Sequence, residues 1–217
     1  MTHLKKLVLA LLLIGVVTIS GCVSIEEHVK VSSDGTIESM TLVLEMPRTV
    51  YSLMVQNTTT GTFCGDIRAN ITSDLKDKVT CEESFTGDNV TITIHAEHVK
   101  PKDNADFAKG IEIYKENGYL IFKDNTWHEE SAKDQEDIKE YGSLVTIDYY
   151  LEMPGKIIDS NAHKVDGNKA EWHLDMYTAS KTPIYAKSEI PNSSICGPGI
   201  IMALAVIPLL MMRRKRA

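Results

Sequence analysis

The chain has 217 residues, with 23 basic and 30 acidic side chains and a formal charge of −7. Its four cysteines and seven histidines are too few for a disulfide-dense miniprotein or a histidine-rich metal carrier. Without the first 22 and last 22 residues, 173 remain, carrying 17 basic against 30 acidic side chains and a charge of −13. That is long enough for one domain with its own core, and so acidic a surface argues against nucleic-acid partners.

Lys5 and Lys6 precede an apolar run of thirteen residues, Leu7 to Ile19. As a helix this run reaches about 20 Å, short of a hydrocarbon core of about 30 Å, so residues 1–21 are predicted to be a secretory signal rather than a span. Ile19-Ser20-Gly21-Cys22 resembles the lipobox of prolipoproteins. The resemblance implies cleavage before Cys22 and lipid on its thiol; an ordinary cleavage site beside a chance cysteine is the alternative.

The segment from residue 22 to 190 reads as one β-rich domain. Ile25 to Val31 and Thr36 to Met46 are predicted strands around Ser32-Ser33-Asp34-Gly35, a hairpin signal, with Met40, Leu42, Leu44 and Met46 on one face. Thr49 to Gln56 is a predicted helix with Val50, Leu53 and Met54 as its apolar side. The tetrapeptide Leu-Glu-Met-Pro closes strands at Leu44–Pro47 and Leu151–Pro154, since proline cannot donate to a ladder.

Cys64 and Cys81 are expected to pair outside the membrane; two free buried thiols are the alternative. Between them Ile67, Ile71, Leu75 and Val79 form a helical stripe with Asp66 as the expected cap. The two readings compete. Bridged Cα atoms lie within about 7 Å, whereas a helix from Asp66 to Lys78 is roughly 20 Å long, so a disulfide limits the helix to about two turns.

Val90, Ile92, Ile94 and Ala96 alternate with polar neighbours. Ile111 to Tyr114 and Tyr119 to Phe122 flank the turn Asn117-Gly118. Ser131 to Tyr141 is a polar predicted helix with Ser131 and Asp134 as its capping box. Val145, Ile147, Tyr149, Leu151 and Met153 form one strand face; Ala170, Trp172, Leu174 and Met176 form another. The expected fold is α+β: a twisted, mainly antiparallel sheet with two or three short helices, and with Trp172 in its core.

Residues 191–217 comprise a linker, the motif Cys196-Gly197-Pro198-Gly199, an apolar stretch from Ile200 to Met212, and the basic tail Arg213-Arg214-Lys215-Arg216. Basic residues favour the cytoplasmic side, which places the domain on the outer face of the cytoplasmic membrane. The tail resembles the CGP-CTERM sorting signal of archaeal surface proteins, which implies modification at Cys196 with the tail either removed or retained. An ordinary C-terminal transmembrane anchor is the alternative. The membrane is thus an expected partner at both ends.

Met153-Pro154-Gly155-Lys156-Ile157, Ser160-Asn161 and the run from Val165 to Trp172 resemble the closing hairpin of LppM-type lipoprotein domains. The resemblance implies a lipid-anchored extracellular β-rich domain that contacts envelope lipid or glycolipid, and it carries over no catalytic residues. Sequons stand at Asn57, Asn70, Asn89 and Asn192, of which Asn57 and Asn192 lie in the more Thr- or Ser-rich loops and are the preferred glycosylation sites.

His95 and Glu97 share a strand face while His98 points the other way, so this cluster is read as a solvated face and no metal is expected. The acidic stretch after Trp127-His128 lacks the ligand spacing of a calcium loop. No Gly-x-Ser-x-Gly, cysteine–histidine pair or phosphate-binding glycine loop is present, and neither enzyme activity nor a cofactor is expected. The leading expectation is a surface lipoprotein that binds an envelope lipid or other amphipathic ligand. A structural or partner-binding module without a small ligand is the alternative, and an extracellular hydrolase a remote third. A cavity between the layers favours the first, a filled core the second.

Overall fold

The computed structural model describes residues 23–56, 58–103, 108, 110–128, 138–139 and 142–191. The chain opens with a hairpin, β1 (Val23–Val31) and β2 (Ile37–Pro47), turning at Gly35 in the left-handed region with φ +88°. Asp34 accepts from the Thr36 N–H and from the Ser32 and Thr36 hydroxyls, bonds that hold its carboxyl down to about 2. Lys30 pairs with Ser39 but Val31 with Ile37, so Glu38 is an extra residue, a β-bulge. The bulge resets the two-residue period, which lets Ile37 face inward together with Met40, Leu42, Leu44 and Met46.

Two helices follow, α1 (Arg48–Val55) and α2 (Phe63–Asn70), and then the hairpin β3 (Val79–Thr86) and β4 (Asn89–Val99). A third hairpin, β5 (Ile111–Glu116) and β6 (Tyr119–Asp124), turns on Asn117 and Gly118, both at positive φ as a type I′ turn requires. The chain closes with β7 (Val145–Glu152), β8 (Ile157–Ser160), β9 (Lys164–Asp166), β10 (Lys169–Asp175), the single-turn helix α3 (Met176–Ala179) and β11 (Ile184–Glu189).

The fold is α+β, as expected, but its strands divide into two sheets. Seven strands run in the order β3-β4-β2-β1-β7-β10-β9 and four in the order β5-β6-β11-β8. The β1–β7 ladder is parallel; the other pairs are antiparallel. The small sheet packs on the inner face of β1, β7 and β10, where the Phe122 and Tyr149 rings lie 6.4 Å apart. On the other half of the large sheet, α1 and α2 take its place: Glu83 on β3 accepts from the Tyr51 hydroxyl at 2.9 Å and the Cys64 N–H at 2.7 Å. No helix among the described residues is long and apolar enough to cross a membrane.

Several expectations need correction. The stripe between the cysteines is not one helix: α2 ends at Asn70, and Leu75 and Val79 reach the core from a turn and from β3. The Cys64–Cys81 disulfide, with Cα atoms 5.3 Å apart, ties α2 to β3 and limits the helix to eight residues. Thr62, not Asp66, caps it, accepting from the Gly65 N–H at 3.0 Å. A cap must precede the first helical residue, and the helix begins at Phe63, four residues earlier than the stripe implies. Asp66 instead accepts from the Thr59 and Thr60 N–H groups of the preceding turn. On α1 the buried residue is Tyr51, while Leu53 is 70% exposed. Met176 leaves the strand to begin α3, because Asp175 caps that helix through the Thr178 N–H at 2.7 Å. The predicted helix at Ser131 to Tyr141 lies largely outside the described residues.

Trp172 is buried, as its alternation demands. It packs edge-on against Tyr149 at 5.7 Å, and its indole N–H donates to Asn161 at 3.1 Å.

Candidate functional site

The inward row of β1 reads Ile25, Glu27, Val29, Val31. Each is an apolar contribution to the core except Glu27, a carboxyl only 2% exposed in the middle of the large sheet. Its lateral neighbours are Leu42 on β2 and Tyr149 on β7. From the facing sheet comes a second carboxyl, Asp124, the last residue of β6 and equally buried.

The two acids are treated differently by their surroundings. Asp124 accepts from the Tyr149 hydroxyl at 3.0 Å, from the Thr126 N–H at 2.7 Å and from the Thr126 hydroxyl. Burial pushes its carboxyl up, and these donors oppose the push. Burial pushes Glu27 well above the ordinary carboxylate range, and the neighbouring Asp124 adds to it. Against both stands only the Trp127 indole N–H, which favours the charged form without reaching hydrogen-bond geometry. Of the pair, Glu27 is therefore the group that retains its proton. Tyr149, buried beside both, is pushed up as well and stays a neutral donor.

Glu27 faces a cavity of about 170 Å³ between the sheets. Its walls are apolar, with Met40, Leu42, Ile94, Ala96 and Ile111, and its polar groups are Glu27, Thr126 and Trp127. The Trp127 Nε1 atom is buried there with no hydrogen-bond partner. An indole N–H buried without a hydrogen-bond partner, beside a buried carboxyl at an apolar cavity, is unusual, because such a donor costs free energy until something pairs with it.

The outer face of the large sheet is different. A shallower groove of about 400 Å³ runs past His28, Lys30, Tyr150, Glu152, Lys169 and Glu171. Its groups satisfy one another: His28 stacks on Tyr150 at 4.5 Å, Lys30 pairs with Glu38 at 3.0 Å, and Lys169 with Glu152 at 3.4 Å. This is a solvated sheet face. His95 and Glu97 lie farther along it, 3.0 Å apart, and the described residues contain no group of three or more side chains placed to hold a metal.

Among the residues singled out in the sequence, Cys64 and Cys81 are brought together. Asn70 ends α2 and Asn89 opens β4; both are exposed. Cys22, Asn57, Asn192 and Cys196 lie outside the described residues. Glu27, Asp124 and Trp127 escaped the sequence reading as a group. One signal was available: Glu27 shares the parity of Ile25, Val29 and Val31, so a charged residue stood on a core face.

No family model matches the chain. It is 38% identical to an uncharacterized protein of Archaeoglobus fulgidus over 218 residues, 97% of this chain and 95% of the relative, and it belongs to that protein's family. In structure it is similar to the folded domain of Mycobacterium tuberculosis LppM, with a TM-score of 0.48 and 9% identity over 79% of this chain and 92% of that one.

Proposed function

We propose that this protein is a non-enzymatic surface lipoprotein, held on the outer face of the cytoplasmic membrane, whose domain binds an envelope lipid or other amphipathic molecule in the cavity beside Glu27. The observation that carries the reading is the combination of apolar walls with the unpaired Trp127 indole N–H and the buried Glu27 carboxyl beside it. An apolar segment gains by leaving water for Met40, Leu42, Ile94 and Ile111. A polar atom on that segment accepts from the Trp127 N–H and pairs with the Glu27 carboxyl.

Size limits the ligand. The cavity is comparable to an engineered apolar cavity of about 150 Å³ that takes benzene, and below the roughly 300–1,000 Å³ typical of drug-sized sites. It takes one end of an amphiphile, and the remainder lies outside it. Native mass spectrometry of the full chain released from detergent tests the proposal. Wild type is expected to carry a lipid-sized adduct, and Ala96→Leu, which fills the cavity from its wall, to lose it. A chain that carries no adduct, or an adduct indifferent to Ala96→Leu and Glu27→Gln, refutes it.

A further inference from the structure

β1 begins at Val23, the residue after Cys22, so no linker separates the candidate lipid attachment from the sheet. The end of the large sheet from which Val23 emerges is defined by its partners. Val23 pairs with Val145, the residue after Leu144. Ser24 pairs with Glu45, two residues before Pro47 closes β2. Met46 pairs with Val90, and Val90 with Phe85, so the β3–β4 turn stands at the same end. There α1 begins, its Arg48 N–H donating to the Asp88 carbonyl at 2.8 Å.

Six large apolar side chains are exposed among the described residues. Four belong to elements at this end: Leu53 (70%), Met54 (40%), Phe85 (48%) and Leu144 (49%). The Arg48 guanidinium lies 5.2 Å from the centre of the Phe85 ring, an amphipathic pairing suited to a membrane interface. The described chain leaves from the opposite end, where the Glu189 N–H donates to Lys156 O and Pro191 lies beside Gly155. The two ends are separated by the length of β1, nine residues or roughly 26 Å. Eight residues, Asn192 to Gly199, precede the apolar stretch at Ile200, and eight residues reach at most about 28 Å. The tail therefore has the reach to return to the membrane that Cys22 enters.

We propose that the sheet end carrying Val23, Leu53, Met54, Phe85 and Leu144 rests on the bilayer surface, with the strands rising from it. The exposed apolar residues then sit at the headgroup boundary, where a single lipid chain at Cys22 gains the second membrane contact that stable anchoring needs. Glu27, four residues along β1, stands about 13 Å above that surface, which sets the depth from which an amphiphile is drawn. The assignment rests on the reading that Cys22 carries lipid.

The test uses the full lipidated chain in phosphatidylcholine vesicles containing a phospholipid with a diazirine near its headgroup. After irradiation, adducts are expected on peptides spanning 48–55, 83–86 and 142–146, and not on those spanning 115–118 or 155–158. The double variant Leu53→Ser, Phe85→Ser changes only exposed side chains and is expected to lower labelling at 48–55 and 83–86 several-fold while the chain still floats with its vesicles. Labelling concentrated at 115–118 and 155–158 overturns the orientation, as does a floating, lipidated chain with no label on the domain. Cross-links between two copies through Leu53 or Phe85 overturn it in favour of a dimer interface. A chain with an unmodified Cys22 that fails to float overturns the anchoring reading itself, and this proposal with it.

Discussion

Glu27→Gln separates a buried, protonated carboxyl from an ordinary charged one. Glu27 is 2% exposed, and both its burial and the nearby Asp124 favour the neutral form. The folded protein therefore keeps a proton that the unfolded chain releases near pH 4.5. Over the interval between the unfolded and folded values, the folded state binds one proton more. The stability contribution of Glu27 is fully present below pH 4.5 and is lost as pH rises through the folded value, at about 1.4 kcal/mol per pH unit. Glutamine has nearly the shape of the neutral acid and does not titrate. Relative to wild type, the variant is expected to gain stability steadily as pH rises from 4.5 towards the folded value, at about 1.4 kcal/mol for each pH unit of that interval. Urea unfolding of the full chain in mild detergent, at half-unit steps of pH, reads this directly. The many surface carboxylates contribute equally to both proteins and cancel in the difference. A difference that stays constant across the series refutes the assignment, because it means that Glu27 titrates alike folded and unfolded.

Three further outcomes are expected. Trp172→Ala empties a buried site against Tyr149 and breaks the bond to Asn161, and a loss of about 3–5 kcal/mol should appear as a lowered urea midpoint; an unchanged midpoint would move the ring out of the core. Replacing Cys64 and Cys81 by serine frees α2 from β3 and should cost about 2–5 kcal/mol, whereas two alkylatable thiols in the unreduced, unfolded wild type would show that no bond forms. Intact mass of the membrane form should show a lipid adduct that Cys22→Ser abolishes, and a mature N-terminus elsewhere would end the lipoprotein reading.

What could be read from the chain was local or periodic. The β1–β2 and β5–β6 hairpins follow from Asp34-Gly35 and Asn117-Gly118, because only a few residue types accept the positive φ those turns need. The inward faces of β4, β7 and β10 follow from a period of two, which is why Trp172 and Tyr149 are buried where alternation puts them. Errors fell at element ends, where competing caps decide the boundary: Thr62 against Asp66, and Asp175 turning Met176 out of its strand.

Pairing was not legible in the same way. Alternation says which side of a strand faces inward, but not which strand lies beside it or which sheet lies opposite. The parallel contact of β1 with β7 joins segments more than a hundred residues apart, and the separation of β5, β6, β8 and β11 into a second layer is decided by how the inner faces fill space. The candidate site depends on both choices. Glu27, from the first strand, meets Asp124 and Trp127, about a hundred residues later, only because the small sheet covers β1 and β7. Short-range backbone sterics and side-chain period suffice for the hairpins and the buried faces, and composition for the acidic character of the domain. Tertiary packing alone decided that two carboxyls, an indole and an apolar void share one place, since no local interaction couples residues so distant along the chain.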